Sequence, residues 1–314
     1  NKMLITFFNI YGISRYIIFR LTFIKKFYAT LVIEYKKFMG FMRREDSTMV
    51  KQEKAVLGLF DFGVGGLTVI KQFLIKKVPA DLIFFSDRIP FDRDLSYIKN
   101  RIFNIIQFFL QKGAVTIVFA CNTATAAAFE ESMVKFPNIK FFNVIDSGAV
   151  KTLKETKNNR IGVIATPLTV ESKIYERKLK RLNKDIEVYQ YPLAELAKMI
   201  ENFCNEDVLL MYLEKELSFF NDKNIDTLIL GCTHYPIVAN CIKKTLKKVN
   251  IVDPAEELAE EVSDYLKIYS STKLSTAKIK ISIYTYDTHL LNKMSARVLD
   301  HLVEDINFYD LEKN

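Results

Sequence analysis

Two cysteines close closely similar stretches of this sequence, Thr116-Ile-Val-Phe-Ala-Cys121-Asn-Thr and Thr227-Leu-Ile-Leu-Gly-Cys232-Thr-His, which align without a gap 111 residues apart. Each is an apolar, β-branched run ending at a thiol, the pattern of a strand covered on both faces that delivers a cysteine to a loop or helix start. Asn122 or Thr123 is expected to cap the Ala-rich helix that follows Cys121. A free thiol titrates near pH 8.5, or about that, and a helix N-terminus lowers the value by favouring the thiolate. One such cysteine alone is better explained by packing, because unpaired cysteine is among the most buried residue types. A matched pair permits more. A thiolate on one side of an α-carbon can remove its proton while a thiol on the other side returns one, inverting the centre without a metal or organic cofactor.

Other polar groups gather at comparable places. Ala55 to Phe60 reads as a strand, Asp61-Phe62-Gly63-Val64-Gly65-Gly66 as a glycine turn, and Leu67 onward as a helix. Glycine allows positive φ and close backbone approach, so this turn is expected to present N–H groups to a small anion. Its spacing misses both the dinucleotide fingerprint and the phosphate-loop lysine, and Asp-Phe-Gly stands here without the other kinase motifs. His234 lies two residues beyond Cys232, and Val144-Ile-Asp-Ser-Gly-Ala149 has a partial echo in Ile251-Val-Asp-Pro-Ala255.

The elements that must carry these residues alternate regularly. Strands are expected at 81–86, 116–120, 140–145, 160–165, 187–191, 226–230 and 279–284. Helices are expected at 95–112, through Leu153, up to Leu182, at 194–203, 207–220, 255–267 and 289–303. Such alternation points to α/β layers with mainly parallel sheets, whose ligands collect at the carboxyl ends of strands. Asp61, Cys121 and Cys232 all fall at such ends.

At 314 residues and 49% hydrophobic content the chain has material for two cores. Four cysteines, irregularly spaced, form neither a disulfide scaffold nor a paired metal motif, which fits a reducing cytoplasm. The net charge of +8 is uneven: residues 1–48 contribute +6, leaving a body of only +2. A basic nucleic-acid face is therefore not expected. The leading segment is rich in Phe, Tyr and Ile, but Arg15, Arg20, Lys25 and Lys26 interrupt it well short of a bilayer-spanning length. It also lacks a secretory cleavage pattern, and its composition suits a membrane-surface helix. Because Met49 stands just before the first patterned strand, residues 1–48 are expected to lie upstream of the native start or to be dispensable for folding.

The motifs Leu57-Gly-Leu-Phe-Asp61-Phe-Gly-Val-Gly-Gly-Leu-Thr-Val69, Ala120-Cys-Asn-Thr-Ala-Thr-Ala126, Val144-Ile-Asp-Ser-Gly-Ala149, Ile161-Gly-Val-Ile-Ala-Thr-Pro167 and Leu230-Gly-Cys-Thr-His-Tyr-Pro236 resemble those of the cofactor-independent glutamate racemases, within the aspartate/glutamate racemase superfamily. The resemblance runs from about Ala55 to Leu302. It implies two pseudo-symmetric α/β domains with the active site in the cleft between them: residues 49–148 completed by 256–314, and residues 149–255. It further implies Cys121 and Cys232 as the acid/base pair, Asp61 assisting the first and His234 the second, and Asn122, Thr123 and Thr233 holding the amino acid. D-Glutamate for peptidoglycan, no cofactor or metal, a cytoplasmic setting and a homodimer belong to the same implication. A further carboxylate in the second domain is expected, with Glu201 and Glu195 both open.

Two departures bear on the pocket. Phe62 stands where the family usually has serine, and Pro90-Phe91-Asp92 where it has Pro-Tyr-Gly. Backbone N–H groups at positions 62 and 92 can still contact substrate, and Phe62, Phe91 and Asp92 are retained as substrate-binding positions. The loss of one hydrogen bond to a charged group costs about 1.5 to 3 kcal/mol, so weakened activity is compatible with these changes. An aspartate or broader amino-acid racemase, and a weakly catalytic binding or regulatory protein, are the alternative readings.

Overall fold

The computed structural model describes residues 55–89, 94–269, 279–302 and 306–311. The expectations for the basic segment 1–48 fall outside the described residues. Within them, ten strands form two sheets in which every pairing is parallel.

The first sheet takes β1 (Ala55–Asp61), β2 (Ala80–Ser86), β3 (Thr116–Phe119), β4 (Lys140–Asn143), β9 (Ile281–Thr285) and β10 (Ile306–Asp310), in the order β10-β9-β2-β1-β3-β4. The second takes β5 (Arg160–Ala165), β6 (Glu187–Pro192), β7 (Thr227–Gly231) and β8 (Asn250–Val252), in the order β6-β5-β7-β8. Helices α1 (Gly66–Ile75), α2 (Leu95–Gln111), α3 (Asn122–Lys135), α4 (Val144–Glu155), α5 (Pro167–Glu171), α6 (Ile174–Leu182), α7 (Leu196–Glu201), α8 (Glu206–Leu217), α9 (Ala239–Thr245), α10 (Pro254–Tyr269) and α11 (Thr288–Leu299) join them. Parallel neighbours require such crossovers, and the crossovers cover the sheet faces. Every residue of β3 and β7 is buried, which is why both read as unbroken apolar runs.

The first sheet and its helices hold an aromatic cluster that includes Phe60, Phe85, Phe109, Phe119, Phe129 and Phe141. The Phe60 and Phe119 rings meet edge to face with centroids 4.6 Å apart. A second apolar cluster runs from Leu57 and Leu59 through Ile161 and Val163 to Leu228 and Ile229, and so spans both sheets. Helix α10 packs on α4, and α11 packs on α1.

Several boundaries depart from the sequence reading. The strand expected to reach Ile145 ends at Asn143, whose Oδ1 accepts the Asp146 N–H at 2.8 Å and starts α4 at once. The long helix expected up to Leu182 is two helices, because Lys173 adopts left-handed φ of 52° between them. The closing helix ends at Leu299 rather than Val303, and the chain goes on to β10, an edge strand that periodicity alone does not distinguish from a tail. No described helix is long and apolar enough to cross a membrane.

Candidate active site

Three strand ends build the site. β1 and β3 are hydrogen-bonded neighbours, with Leu57 opposite Thr116 and Phe60 opposite Phe119, so Asp61 and Cys121 leave the first sheet side by side. β7 delivers Cys232 from the second sheet through an all-buried strand. The sheets are joined at this edge: the Thr68 hydroxyl donates to the Thr233 carbonyl at 2.9 Å, and the Thr233 hydroxyl donates to Asp61 Oδ2 at 2.7 Å.

The glycine turn makes this approach feasible. A Cβ on Gly65 would lie 2.3 Å from Thr233 Oγ1 and 2.6 Å from His234 Nδ1. No backbone in this turn has positive φ, so close approach, rather than a left-handed conformation, is what requires glycine at position 65.

Around Cys121, the Asp61 side chain hydrogen-bonds the thiol, and the N–H groups of Phe62 and Ala124 face the sulfur. Helix α3 starts at Asn122, so the cap position expected for Asn122 or Thr123 belongs to Cys121 itself. The helix terminus does not bring this thiol toward neutrality. Burial, followed by the negative charge of Asp61, holds Cys121 well above its ordinary value and outweighs the two N–H groups. Asp61 is likewise raised by burial, against the opposing effects of His234, Thr233, Cys121 and the Phe62 N–H.

Around Cys232 the chemistry is cationic. His234 Nδ1 lies 3.7 Å from the Cys232 sulfur, and Nε2 lies 2.8 Å from Glu201 Oε1. Burial opposes charge on the imidazole, but the hydrogen bonds to Cys232 and Glu201 outweigh it and push His234 up to about 10. An imidazolium therefore sits beside the second thiol at neutral pH. Of the two carboxylates left open by sequence, Glu201 makes this contact while Glu195 is exposed.

Asn122 accepts a 2.7 Å hydrogen bond at Oδ1 from Tyr175, a wholly buried phenol on α6 that burial keeps protonated. With its oxygen engaged, Asn122 retains its NH₂ as a donor. Thr123 Oγ1 is 2.9 Å from Thr166 Oγ1, itself 3.0 Å from Thr169 Oγ1. Asp61, Cys121, Asn122, Cys232, Thr233 and His234 are all buried, none more than 8% exposed. The Phe62 ring turns toward the aromatic cluster, 6.4 Å from the Phe60 centroid, while its N–H faces Cys121. Phe91 and Asp92 lie outside the described residues. Tyr175, Thr68 and Thr166 were not foreseen. Thr68 and Thr166 lie inside the Leu57–Val69 and Ile161–Pro167 motifs, but no local feature gives any of the three its partner, since each acts by reaching a residue far away in the chain.

Chemically, the arrangement offers a neutral thiol hydrogen-bonded to a carboxylate and a second thiol beside a buried imidazolium. Residues 82–262 match the Asp/Glu/Hydantoin racemase family. A glutamate racemase of Thermoanaerobacter sp. (strain X514) is 42% identical over 216 residues, covering 67% of this chain and 80% of that protein. A glutamate racemase isoform of Bacillus anthracis has a similar structure, with TM-score 0.74 and 32% identity over 82% of this chain and 98% of that one. The enzyme of Francisella tularensis subsp. tularensis SCHU S4, solved with D-glutamate, gives 0.73 and 31% over 83% and 99%.

Proposed function

Because this chain belongs to the Asp/Glu/hydantoin racemase family, we propose that it is a glutamate racemase in which Cys121 and Cys232 exchange the α-proton from opposite sides. The observation that carries this reading is the unlike equipment of the two thiols: Asp61 on Cys121, and His234 with Glu201 on Cys232.

In one direction a Cys232 thiolate, facing the imidazolium, takes the α-proton. The electron pair delocalises into the substrate carboxylate, and the Cys121 thiol donates its proton to the opposite face. The product leaves with Cys121 as thiolate and Cys232 as thiol, and the reverse reaction starts from that state. A raised thiol on Cys121 suits the donor role, because it keeps the proton until the carbanion forms. Asp61 is placed to take up and return the proton that resets Cys121. The Asn122 NH₂, the hydroxyls of Thr123 and Thr233, and the Phe62 N–H supply donors and acceptors for the amino acid's polar ends. Donors aimed at the carboxylate stabilise the negative charge that develops there. Two lobes, 49–148 with 256–314 and 149–255, would then close on the substrate. The family supports a cytoplasmic homodimer supplying D-glutamate for peptidoglycan.

The test is a deuterium-exchange assay at Cα in D₂O with a panel of L-amino acids. Exchange with inversion is expected on glutamate. Exchange on aspartate with none on glutamate would overturn the substrate, and no exchange on any amino acid would overturn the reaction.

A further inference from the structure

The turn that carries Asp61 is held in place by an ion pair on the neighbouring strand. β2 lies between β1 and β9 in the first sheet, with Ser86 opposite both Asp61 and Thr285. Two residues at the end of β2 pin the glycine turn at two points. The Asp87 N–H donates to the Asp61 carbonyl at 2.9 Å, and the Ser86 hydroxyl donates to the Gly63 carbonyl at 2.9 Å. The stretch so pinned carries the Asp61 carboxylate and the Phe62 N–H, both of which face the Cys121 sulfur.

Asp87 is itself fixed. Only 2% of its side chain is exposed, and both carboxylate oxygens are taken by one guanidinium: Arg101 Nε donates to Oδ2 at 2.8 Å and Nη2 donates to Oδ1 at 2.9 Å. A two-point ion pair of this kind sets the orientation of the carboxylate as well as neutralising its charge. Nη2 also donates to Tyr286 Oη at 2.6 Å, one residue beyond the end of β9. The guanidinium lies 5.8 Å from the Phe85 ring centroid and 5.4 Å from that of Tyr286, within cation–π range. Arg101 belongs to α2, so the contact ties the ends of β2 and β9 to that helix. Without the guanidinium, Asp87 would be a buried carboxylate lacking its counter-charge, a costly state. It would turn toward water or take up a proton, and the backbone N–H that holds Asp61 would move with it.

We propose that Arg101 is a positioning residue of the Cys121 centre: through Asp87 it holds the Asp61 carboxylate and the Phe62 N–H against the first thiol. The kinetic consequence rests on the racemase reading above, whereas the effect on the thiol itself does not.

The test is a double-substitution cycle in the full chain, Arg101→Gln with and without Asp61→Asn, with racemisation measured in both directions. Arg101→Gln should lower kcat about tenfold with a smaller change in KM, as the loss of charge-assisted hydrogen bonds would give. In the Asp61→Asn background the same change should cost less than about twofold, because the group through which it acts is already gone. The ratio of kcat for L to kcat for D should move in the same sense as in Asp61→Asn and opposite to His234→Asn. Arg101→Lys keeps the charge without the two-point grip; it should cost about threefold with the same sense of ratio, and it carries the cycle if the glutamine variant does not fold. An equal cost in both backgrounds, or a ratio that stays put or moves as in His234→Asn, overturns the assignment. Iodoacetamide labelling, read at each cysteine by mass spectrometry, tests the same contact without turnover. Arg101→Gln and Asp61→Asn should both change labelling of Cys121 relative to Cys232 by at least about threefold and in the same sense, the Cys232 reference cancelling any general loosening. An unchanged ratio in Arg101→Gln overturns the positioning role. A parent chain that racemises nothing, with that labelling ratio still shifted, leaves the role of Arg101 standing and overturns the racemase reading instead.

Discussion

The two thiol centres share a plan and differ in their electrostatics. Each cysteine ends a fully buried strand, β3 or β7, and is followed by polar residues. Cys121 then enters a 14-residue helix and meets a carboxylate, whereas Cys232 enters a four-residue 3₁₀ turn and meets an imidazole held by Glu201. If both thiols act on one α-carbon as proposed, two similar strand ends would present it with unlike partners, one acidic and one cationic. A racemase needs a proton donor and a proton acceptor present together, and unlike partners let two chemically identical side chains occupy those states at one pH. In the proposed reaction the repeat would supply the two opposed faces, and its divergence the unlike partners of the two thiols.

The largest expected effect removes either centre. Cys121→Ser and Cys232→Ser should each lower racemisation by about 10³-fold or more, since a hydroxyl is a poor base at neutral pH. Polarimetry on each single variant decides the matter. Retention of a tenth of the parent rate by either one would sink the two-sided device.

Exchanging a helper residue should cost less and should separate the two centres. Asp61→Asn and His234→Asn are expected to lower kcat by about 10²-fold, within the usual range for an acid/base group. The equilibrium constant of a racemase is unity, so kcat/KM must fall equally in both directions. The ratio of kcat for L to kcat for D can move, and it should move oppositely in the two variants. A shift of the same sign in both would mean that the centres do not differ in role.

The pH dependence of stability sharpens the same contrast. His234 has a folded value of about 10 against 6.5 unfolded, so the folded state binds this proton more tightly. Its stabilisation is fully present below about pH 6.5 and is lost as pH rises through about 10. Urea unfolding at pH 6 through 10 should show a decline in the parent that His234→Asn lacks. A parallel decline in both would remove His234 as its source.

The smallest expected effect lies across the sheets. Tyr175→Phe removes the donor to Asn122 Oδ1 and frees its amide to turn. A neutral hydrogen bond contributes about 0.5 to 1.5 kcal/mol, so KM should rise roughly 2- to 10-fold with less change in kcat. If kcat fell and KM stayed constant, Tyr175 would not act through Asn122.

Much of this was legible in the chain. Runs such as Thr116 to Phe119 and Thr227 to Leu230 announce doubly covered strands, because only a strand hidden on both faces tolerates unbroken apolar sequence. The gapless match of Cys121 with Cys232 made a pair out of two otherwise unremarked cysteines. β10 escaped notice because a short edge strand with alternating exposure carries little pattern, and Lys173 because a non-glycine residue in a left-handed turn leaves no composition mark.

What the sequence determined by itself was the α/β alternation, the two thiols and the residues beside them, since these follow from periodicity and repetition along the chain. Only the tertiary structure decided which partner each thiol has. Asp61 reaches Thr233 across 172 residues of sequence and His234 reaches Glu201 across 33. Such contacts depend on how the strand ends of two sheets meet, which no local pattern encodes. Burial then reversed the expectation for Cys121, because desolvation of a thiolate outweighs the N–H groups at a helix start.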